Sequence, residues 1–135
     1  MAEVKLKRGD LVYPELSYKI VGFSFEIFNQ IGSGHKEVIY QKAYAMLLKE
    51  NKINFEEQVY YPVRFMGKTI GKNFFDFLID DKIVVELKKD MHFSKAHIDQ
   101  VLNYLKVSNL KLAILINFGN EGALCKRIIN FDSKK

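Results

Sequence analysis

At 135 residues the chain is long enough for one hydrophobic core and short for two, so we expect a single domain over residues 1–135. Hydrophobic residues make up 48% of the chain and charged residues 27%, a globular composition that excludes an intrinsically disordered protein. The formal net charge of +5 favours an anionic partner such as nucleic acid, although many basic proteins have none.

The cysteine content and the hydropathy pattern indicate where the protein works. Cys125 is the single cysteine, which excludes an internal disulfide and suits a reducing compartment. The longest apolar run, Leu112–Phe118, is too short to cross a bilayer, and the N-terminus has no apolar signal core. We therefore expect a soluble, cytoplasmic protein without a membrane partner.

The first two predicted elements are helices. Apolar residues at helical spacing follow Pro14 and continue to Ile31, after which a Gly-Ser-Gly segment ends the pattern. A second helical stripe runs from His35 to about Asn51. Glu37 lies in the first turn of this second helix, where the helix dipole favours an anion.

Four strands are predicted next. Residues 54–70 are rich in β-branched and aromatic side chains around a Met-Gly-Lys turn, which indicates a β-hairpin. Residues 74–79 and 83–87 are continuous apolar runs on either side of an Asp-Asp pair. Such runs are typical of central strands that are covered on both faces.

The last part of the chain predicts a helix and two strands. Ser94 is suited to cap a third helix that ends near Val107. Residues 112–118 form a buried strand and residues 124–131 an edge strand. Because a helix separates the strand at 83–87 from the strand at 112–118, these two are expected to be parallel. The predicted order is ααββββαββ, an α/β fold with a mixed central β-sheet flanked by helices.

Three charged residues interrupt the apolar strands, where charge is costly: Asp76, Glu86 and Lys88. A loop with an odd number of residues would set Asp76 opposite Glu86, so we predict the three-residue loop Asp80–Lys82. Facing carboxylates repel each other unless a cation or Lys88 lies between them. Oxygen ligands of this kind suit Mg²⁺ or Mn²⁺ together with a substrate phosphate, and Lys88 would orient the attacking water or stabilise developing charge.

Further polar residues are placed to reach the same site. His97, Gln100 and Tyr104 share one face of the third helix, and Glu37 adds another carboxylate. Each has a plain structural alternative. A polar helix stripe is usually a solvent face, a helix-N-terminal glutamate can simply complement the dipole, and charged strand residues can mark the solvated end of a strand.

Together these segments resemble the GxxExxY proteins of the PD-(D/E)XK nuclease-like superfamily, which has the restriction endonuclease-like fold. The matching segments are GHKEVIY (Gly34–Tyr40), DFLIDDKIVVELK, HIDQVLNYL, INFG and KRI. The resemblance implies a nuclease site with metal ligands, catalytic residues and substrate-positioning residues. These are Asp76, Glu86 and Glu37 as metal ligands, Asp76, Glu86 and Lys88 as catalytic residues, and Gln100 and Tyr104 for positioning.

The resemblance also implies an activity, which is hydrolysis of phosphodiester bonds in DNA, or in RNA, with Mg²⁺ or Mn²⁺ as cofactor. The alternative from another class is a catalytically inactive module of the same fold that binds nucleic acid or a protein partner. The sequence is compatible with a homo-oligomer and with a subunit of a larger complex.

Overall fold

The computed structural model describes residues 12–89 and 93–132. Within these ranges three helices and five strands follow one another in the order ααβββαββ. The elements are α1 (Pro14–Ile31), α2 (Glu37–Glu50), β1 (Phe55–Phe65), β2 (Lys68–Ile79), β3 (Ile83–Lys88), α3 (Lys95–Ser108), β4 (Leu112–Phe118) and β5 (Ala123–Ile129). The predicted class, an α/β fold with a mixed sheet flanked by helices, is confirmed.

The strands form one sheet in the order β1-β2-β3-β4-β5. β3 and β4 run parallel, with Ile83 opposite Leu112 and Lys88 opposite Asn117, and all other neighbouring strands are antiparallel. α3 lies between β3 and β4 in sequence, as expected of a crossover connection. The predicted parallel pair is confirmed, and β5 forms one edge of the sheet.

The structure has one strand fewer than the predicted order. The second run of the predicted hairpin and the predicted strand at 74–79 are a single long strand, β2, which pairs with β1 along nearly all of its length. Gly71 lies inside this strand, and its backbone is not in the left-handed region. A Cβ at this position would lie 3.6 Å from Cβ of its partner Val63, an ordinary van der Waals contact, so the packing of the strand pair does not require a glycine here.

The loop between β2 and β3 has the predicted length. Ile79 pairs with Ile83, which leaves Asp80–Lys82 as a three-residue connection. Asp80 and Asp81 both have positive φ, at 52° and 55°, a conformation that aspartate tolerates better than most residues. The strand register beyond this loop brings Asp76 and Glu86 together.

The helices cover both faces of the sheet. α1 and α2 pack on one face, where the buried cluster includes Tyr44, Phe77 and Ile114. α3 packs on the other face around Val101 and Leu105. This double coverage explains why the side chains of β4 are all buried. No helix in the described part of the chain is long and apolar enough to cross a membrane.

Two helix starts are set by local chemistry. Ser94 caps α3 as predicted, because its Oγ accepts the backbone N–H of His97 at 3.1 Å. α2 begins at Glu37 and not at His35, since Lys36 has an extended backbone with ψ of 150°. Glu37 is therefore the first helical residue, at the positive end of the helix dipole.

Candidate active site

The pairing of β2 with β3 stops where the charged residues begin. Their register covers Phe77–Ile79 against Ile83–Val85, and Asp76 and Glu86 come next. The backbone N–H of Asp76 donates to Oε1 of Glu86 at 2.6 Å. In return, the backbone N–H of Leu87 donates to Oδ2 of Asp76 at 2.7 Å. The two carboxyl groups thus accept backbone N–H groups at the point where the regular strand pairing ends.

Burial makes this carboxyl pair costly to ionise. Glu86 is only 7% exposed, and burial, followed by the charge of Asp76, raises the pKa of Glu86 to about 8. Burial also raises the pKa of Asp76, although the hydrogen bond from Leu87 opposes this. At neutral pH the pair therefore retains a proton, unless a cation compensates for the second negative charge.

Lys88 lies near the pair without neutralising it. It follows Glu86 by two residues in β3, which places both side chains on the same side of the strand. Its positive charge lowers the pKa of both Asp76 and Glu86 against the larger effect of burial. Among the described residues, however, Lys88 forms no salt bridge with either carboxyl group. The structure thus brings the predicted Asp76, Glu86 and Lys88 into one site.

Glu37 reaches the same site from the start of α2. Its Oε1 accepts the backbone N–H of Lys89, the residue after β3, at 3.4 Å. The negative charge of Glu37 raises the pKa of both Asp76 and Glu86, although burial has the larger effect on each. The side chain is exposed, and Glu37 takes no part in the hydrogen bonds that join Asp76 and Glu86.

Tyr40 holds the start of α2 against the sheet. Its buried ring stacks on Phe118 with ring centroids 4.1 Å apart. Its hydroxyl donates to the carbonyl oxygen of Gly32 at 2.7 Å. This tyrosine, the last residue of the GHKEVIY segment, therefore ties the loop before α2 to the body of the protein and so positions Glu37.

Tyr40→Phe is expected to lower the free energy of unfolding by about 1 kcal/mol, because the Gly32 carbonyl loses its donor while the ring stack is kept. Tyr40→Ala removes the ring as well and should cost roughly 3–5 kcal/mol. Urea denaturation of both variants measures the two effects separately. An unchanged midpoint in Tyr40→Phe would show that the hydroxyl does not anchor the loop.

His97 also reaches the site, although the sequence predicts no function for it there. Its Nε2 lies 3.5 Å from Oε2 of Glu86, and this buried nitrogen has no hydrogen-bond partner among the described residues. Burial, followed by the charge of Lys88, lowers the pKa of His97. Its ring stacks on Phe93 at 5.7 Å. The polar face shared with Gln100 and Tyr104 was the sequence signal that pointed toward it.

Gln100 and Tyr104 lie on α3 as predicted, but they do not contact the lysine. Tyr104 packs against Tyr61 and Phe75, with ring centroids 5.0 Å and 4.7 Å away. Gln100 is half-buried one turn earlier. In the part of the chain that the structure describes, neither side chain forms a hydrogen bond with Lys88. Their substrate-positioning function stays a prediction.

The donor atoms fit a hydrated divalent cation. No three His, Cys, Asp or Glu side chains within residues 12–89 and 93–132 converge as a metal site made of protein ligands alone requires. Mg²⁺ and Mn²⁺ need only one or two carboxylates, because they keep several waters. Asp76 and Glu86 meet this smaller requirement, since each uses only one of its two oxygens for a backbone hydrogen bond. A metal-binding function of Glu37 stays a prediction.

Comparison with known proteins identifies the family to which this mixed α/β fold belongs. The chain belongs to the PD-(D/E)XK nuclease superfamily, whose family model matches residues 14–129. This match is to the superfamily, so the narrower resemblance to the GxxExxY proteins stays a prediction. No curated protein matches the chain.

Among solved structures the chain is similar to one described as "Crystal structure of SSO0001". The two share 22% sequence identity with a TM-score of 0.52, over 87% of this chain and 57% of that chain. The present chain thus corresponds to little more than half of that structure. At this level of identity the likeness shows the fold alone.

Proposed function

We propose that this protein is a divalent-metal-dependent nuclease that hydrolyses phosphodiester bonds of DNA, with RNA as the second substrate to test. The observation that carries the proposal is the buried pair of Asp76 and Glu86, which lies beside Lys88 where β2 and β3 separate. Burying two acidic groups together is unfavourable, and strongly perturbed groups of this kind concentrate at functional sites. Membership of a nuclease superfamily supports the same conclusion.

Each residue has a defined task in this proposal. Asp76 and Glu86 would hold Mg²⁺ or Mn²⁺, and Glu37 would add a third carboxylate. The metal, when bound, polarises the phosphoryl group and makes a water molecule more acidic. The backbone N–H groups of Asp76 and Leu87 fix the carboxyl groups before substrate arrives. Lys88 would orient the attacking water and stabilise negative charge on the phosphate.

The partner and the location follow as further proposals. Nucleic acid as partner is supported by the net charge of +5 and by the superfamily. The cytoplasmic location stays a prediction from cysteine content and hydropathy.

One observation favours the competing function, a catalytically inactive nucleic-acid-binding module. Asp76 and Glu86 already accept backbone hydrogen bonds, so the protonated pair is partly satisfied without any metal. A protein of this kind would bind nucleic acid in a salt-dependent manner and would require no divalent cation. Cleavage, and not binding, therefore separates the two functions.

The experiment is cleavage of labelled single- and double-stranded DNA and RNA with Mg²⁺, with Mn²⁺ or with EDTA. We expect products only with metal, and a loss of about 100-fold or more in Asp76→Asn because a metal ligand becomes neutral. The matched control is Asp81→Asn, an exposed loop residue whose positive φ asparagine also tolerates. A wild-type protein that binds these substrates but cuts none would contradict the nuclease and support the binding module.

A further inference from the structure

The β1–β2 hairpin extends beyond the rest of the sheet. β2 pairs with β3 only at 77–79, so residues 60–74, here called the ribbon, pair only with one another among the described residues. Its tip is the two-residue turn Met66-Gly67, in which both φ values are positive, as in a type I′ turn. The register shifts between Val63 and Arg64, and a bulge of this kind increases the twist of a strand pair.

The ribbon exposes large apolar side chains on both strands. Six of them are between 40% and 85% exposed: Tyr60, Val63, Phe65, Met66, Ile70 and Phe74. Tyr60 and Phe74 form an exposed aromatic pair with ring centroids 5.3 Å apart. The other side of the ribbon base is occupied, because Tyr61 and Phe75 pack against Tyr104 of α3. An exposed apolar surface of this kind indicates a binding partner.

The charges of the ribbon indicate which partner fits. Arg64, Lys68 and Lys72 are exposed, and residues 60–74 contain no aspartate or glutamate. A second ribbon packed against the first would bring these like charges together, which disfavours a dimer through this surface. A polyanion would instead be attracted by all three cations.

The exposed aromatic rings favour single-stranded over double-stranded nucleic acid as the partner. Single-stranded nucleic acid presents phosphates for cations and free base faces that stack on aromatic side chains. In a duplex the bases are already stacked, so contacts to the phosphates would leave the rings unused. Phe74 precedes the candidate metal ligand Asp76 by two residues in β2, so a strand bound along the ribbon would lead toward the carboxyl pair.

We infer that the ribbon is the docking surface for single-stranded DNA, with its phosphates on Arg64, Lys68 and Lys72 and its bases on Tyr60 and Phe74. This inference rests on the proposed nuclease function, for which it names the substrate class and the path to the site. The ribbon holds the strand, and the carboxyl pair with Lys88 is where the strand is cut.

The test is fluorescence anisotropy of a labelled oligo-dT of about 20 nucleotides, long enough for one binding site, with the full chain in EDTA so that nothing is cut. Lys68→Ala/Lys72→Ala is expected to weaken binding about tenfold or more at low salt. The slope of log affinity against log salt should fall by about 1.4, because two phosphate contacts are lost at about 0.7 each. The control Lys49→Ala/Lys106→Ala removes two exposed charges from α2 and α3 and should leave the slope unchanged.

The aromatic contribution is tested separately. Tyr60→Ser should weaken binding about tenfold with an unchanged salt slope, because stacking releases no counterions. Phe65→Ser is the control, because it removes an exposed ring at the tip of the ribbon outside the Tyr60 and Phe74 pair and should keep wild-type affinity. Circular dichroism confirms that each variant is folded before binding is measured.

The outcomes separate this inference from the proposed function. Wild-type affinity for oligo-dT in both Lys68→Ala/Lys72→Ala and Tyr60→Ser, or no binding by the wild type, overturns the ribbon as the docking surface even if the protein cuts DNA with metal. Ribbon-dependent binding by a protein that cuts nothing supports the ribbon and contradicts the nuclease. Tighter binding of duplex DNA or of RNA of equal length overturns the single-stranded DNA assignment. If the wild type binds no DNA but forms a dimer in light scattering, and Phe65→Ser dissociates that dimer, the ribbon is a contact surface for a second copy of the chain instead.

Discussion

Lys88→Met is expected to reduce metal-dependent DNA cleavage by about 100- to 1,000-fold, the effect of removing one charged group that stabilises a transition state. Methionine retains the apolar stem of the half-buried lysine, so the fold should be kept. Affinity for Mn²⁺ at pH 8 should be no weaker than in the wild type, because a positive charge next to the cation has been removed. Single-turnover cleavage and calorimetry measure the two properties.

Lys106→Met, an exposed lysine of α3, is the matched control for this substitution and should cleave normally. Cleavage by Lys88→Met at the wild-type rate would remove Lys88 from the mechanism. Loss of cleavage together with loss of Mn²⁺ binding would show that Lys88 supports the metal site and does not act on the substrate.

Glu86→Gln is expected to stabilise the metal-free protein at alkaline pH. The pKa of Glu86 is about 8 in the folded protein, against an ordinary value of 4.5, so the folded state binds a proton that the unfolded state has released. The contribution of Glu86 to stability is therefore fully present below pH 4.5 and is lost as the pH rises through 8. Glutamine is neutral in both states and keeps an acceptor for the N–H of Asp76, so the variant avoids this loss.

The gain of Glu86→Gln over the wild type should be small near pH 4 and roughly 2–4 kcal/mol near pH 9, measured by urea denaturation in EDTA. Glu57→Gln, an exposed position of β1, is the control and should show no such pH dependence. Equal stability of Glu86→Gln and the wild type at both pH values would mean that Glu86 is not held in a costly environment. The same variant should lose cleavage, so stability and activity change in opposite directions.

The pairing of Asp76 with Glu86 could be predicted because the loop length fixes which residues of two antiparallel strands lie opposite each other. Asp76 and Glu86 are ten residues apart, and a three-residue loop follows once they are placed opposite each other. The sequence did not indicate that their side chains would replace the strand-pairing hydrogen bonds. That result depends on where the pairing of β2 with β3 ends, which is set by packing across the sheet.

The contact between His97 and Glu86 could not be predicted from residue spacing on the helix. The spacing of His97, Gln100 and Tyr104 places them on one face of α3, but the spacing cannot say which of them reaches the site. The position of α3 over the sheet decides this, and it brings His97 to Glu86 and Tyr104 to Phe75. Long-range packing of this kind leaves no local signal in the sequence.

The length of β2 was missed for a local reason. The sequence predicts a hairpin over residues 54–70 and a separate strand over 74–79, and the residues between them include Gly71 and Asn73, which are typical of turns. In the structure the partner strand β1 supplies backbone pairing through this segment, and tertiary context overrides the local preference. The consequence is the protruding ribbon, which two separate short strands would not form.

The central claim is that Asp76 and Glu86 form a buried pair that holds a divalent cation. The most direct test is calorimetric titration of the wild type with Mn²⁺ at pH 7, in two buffers with different heats of ionisation. We expect Mn²⁺ to bind with release of about one proton, because the metal must displace the proton that the pair retains. Glu86→Gln should lose most of this binding. Mn²⁺ binding that releases no proton, or that is unchanged in Glu86→Gln, would contradict the claim.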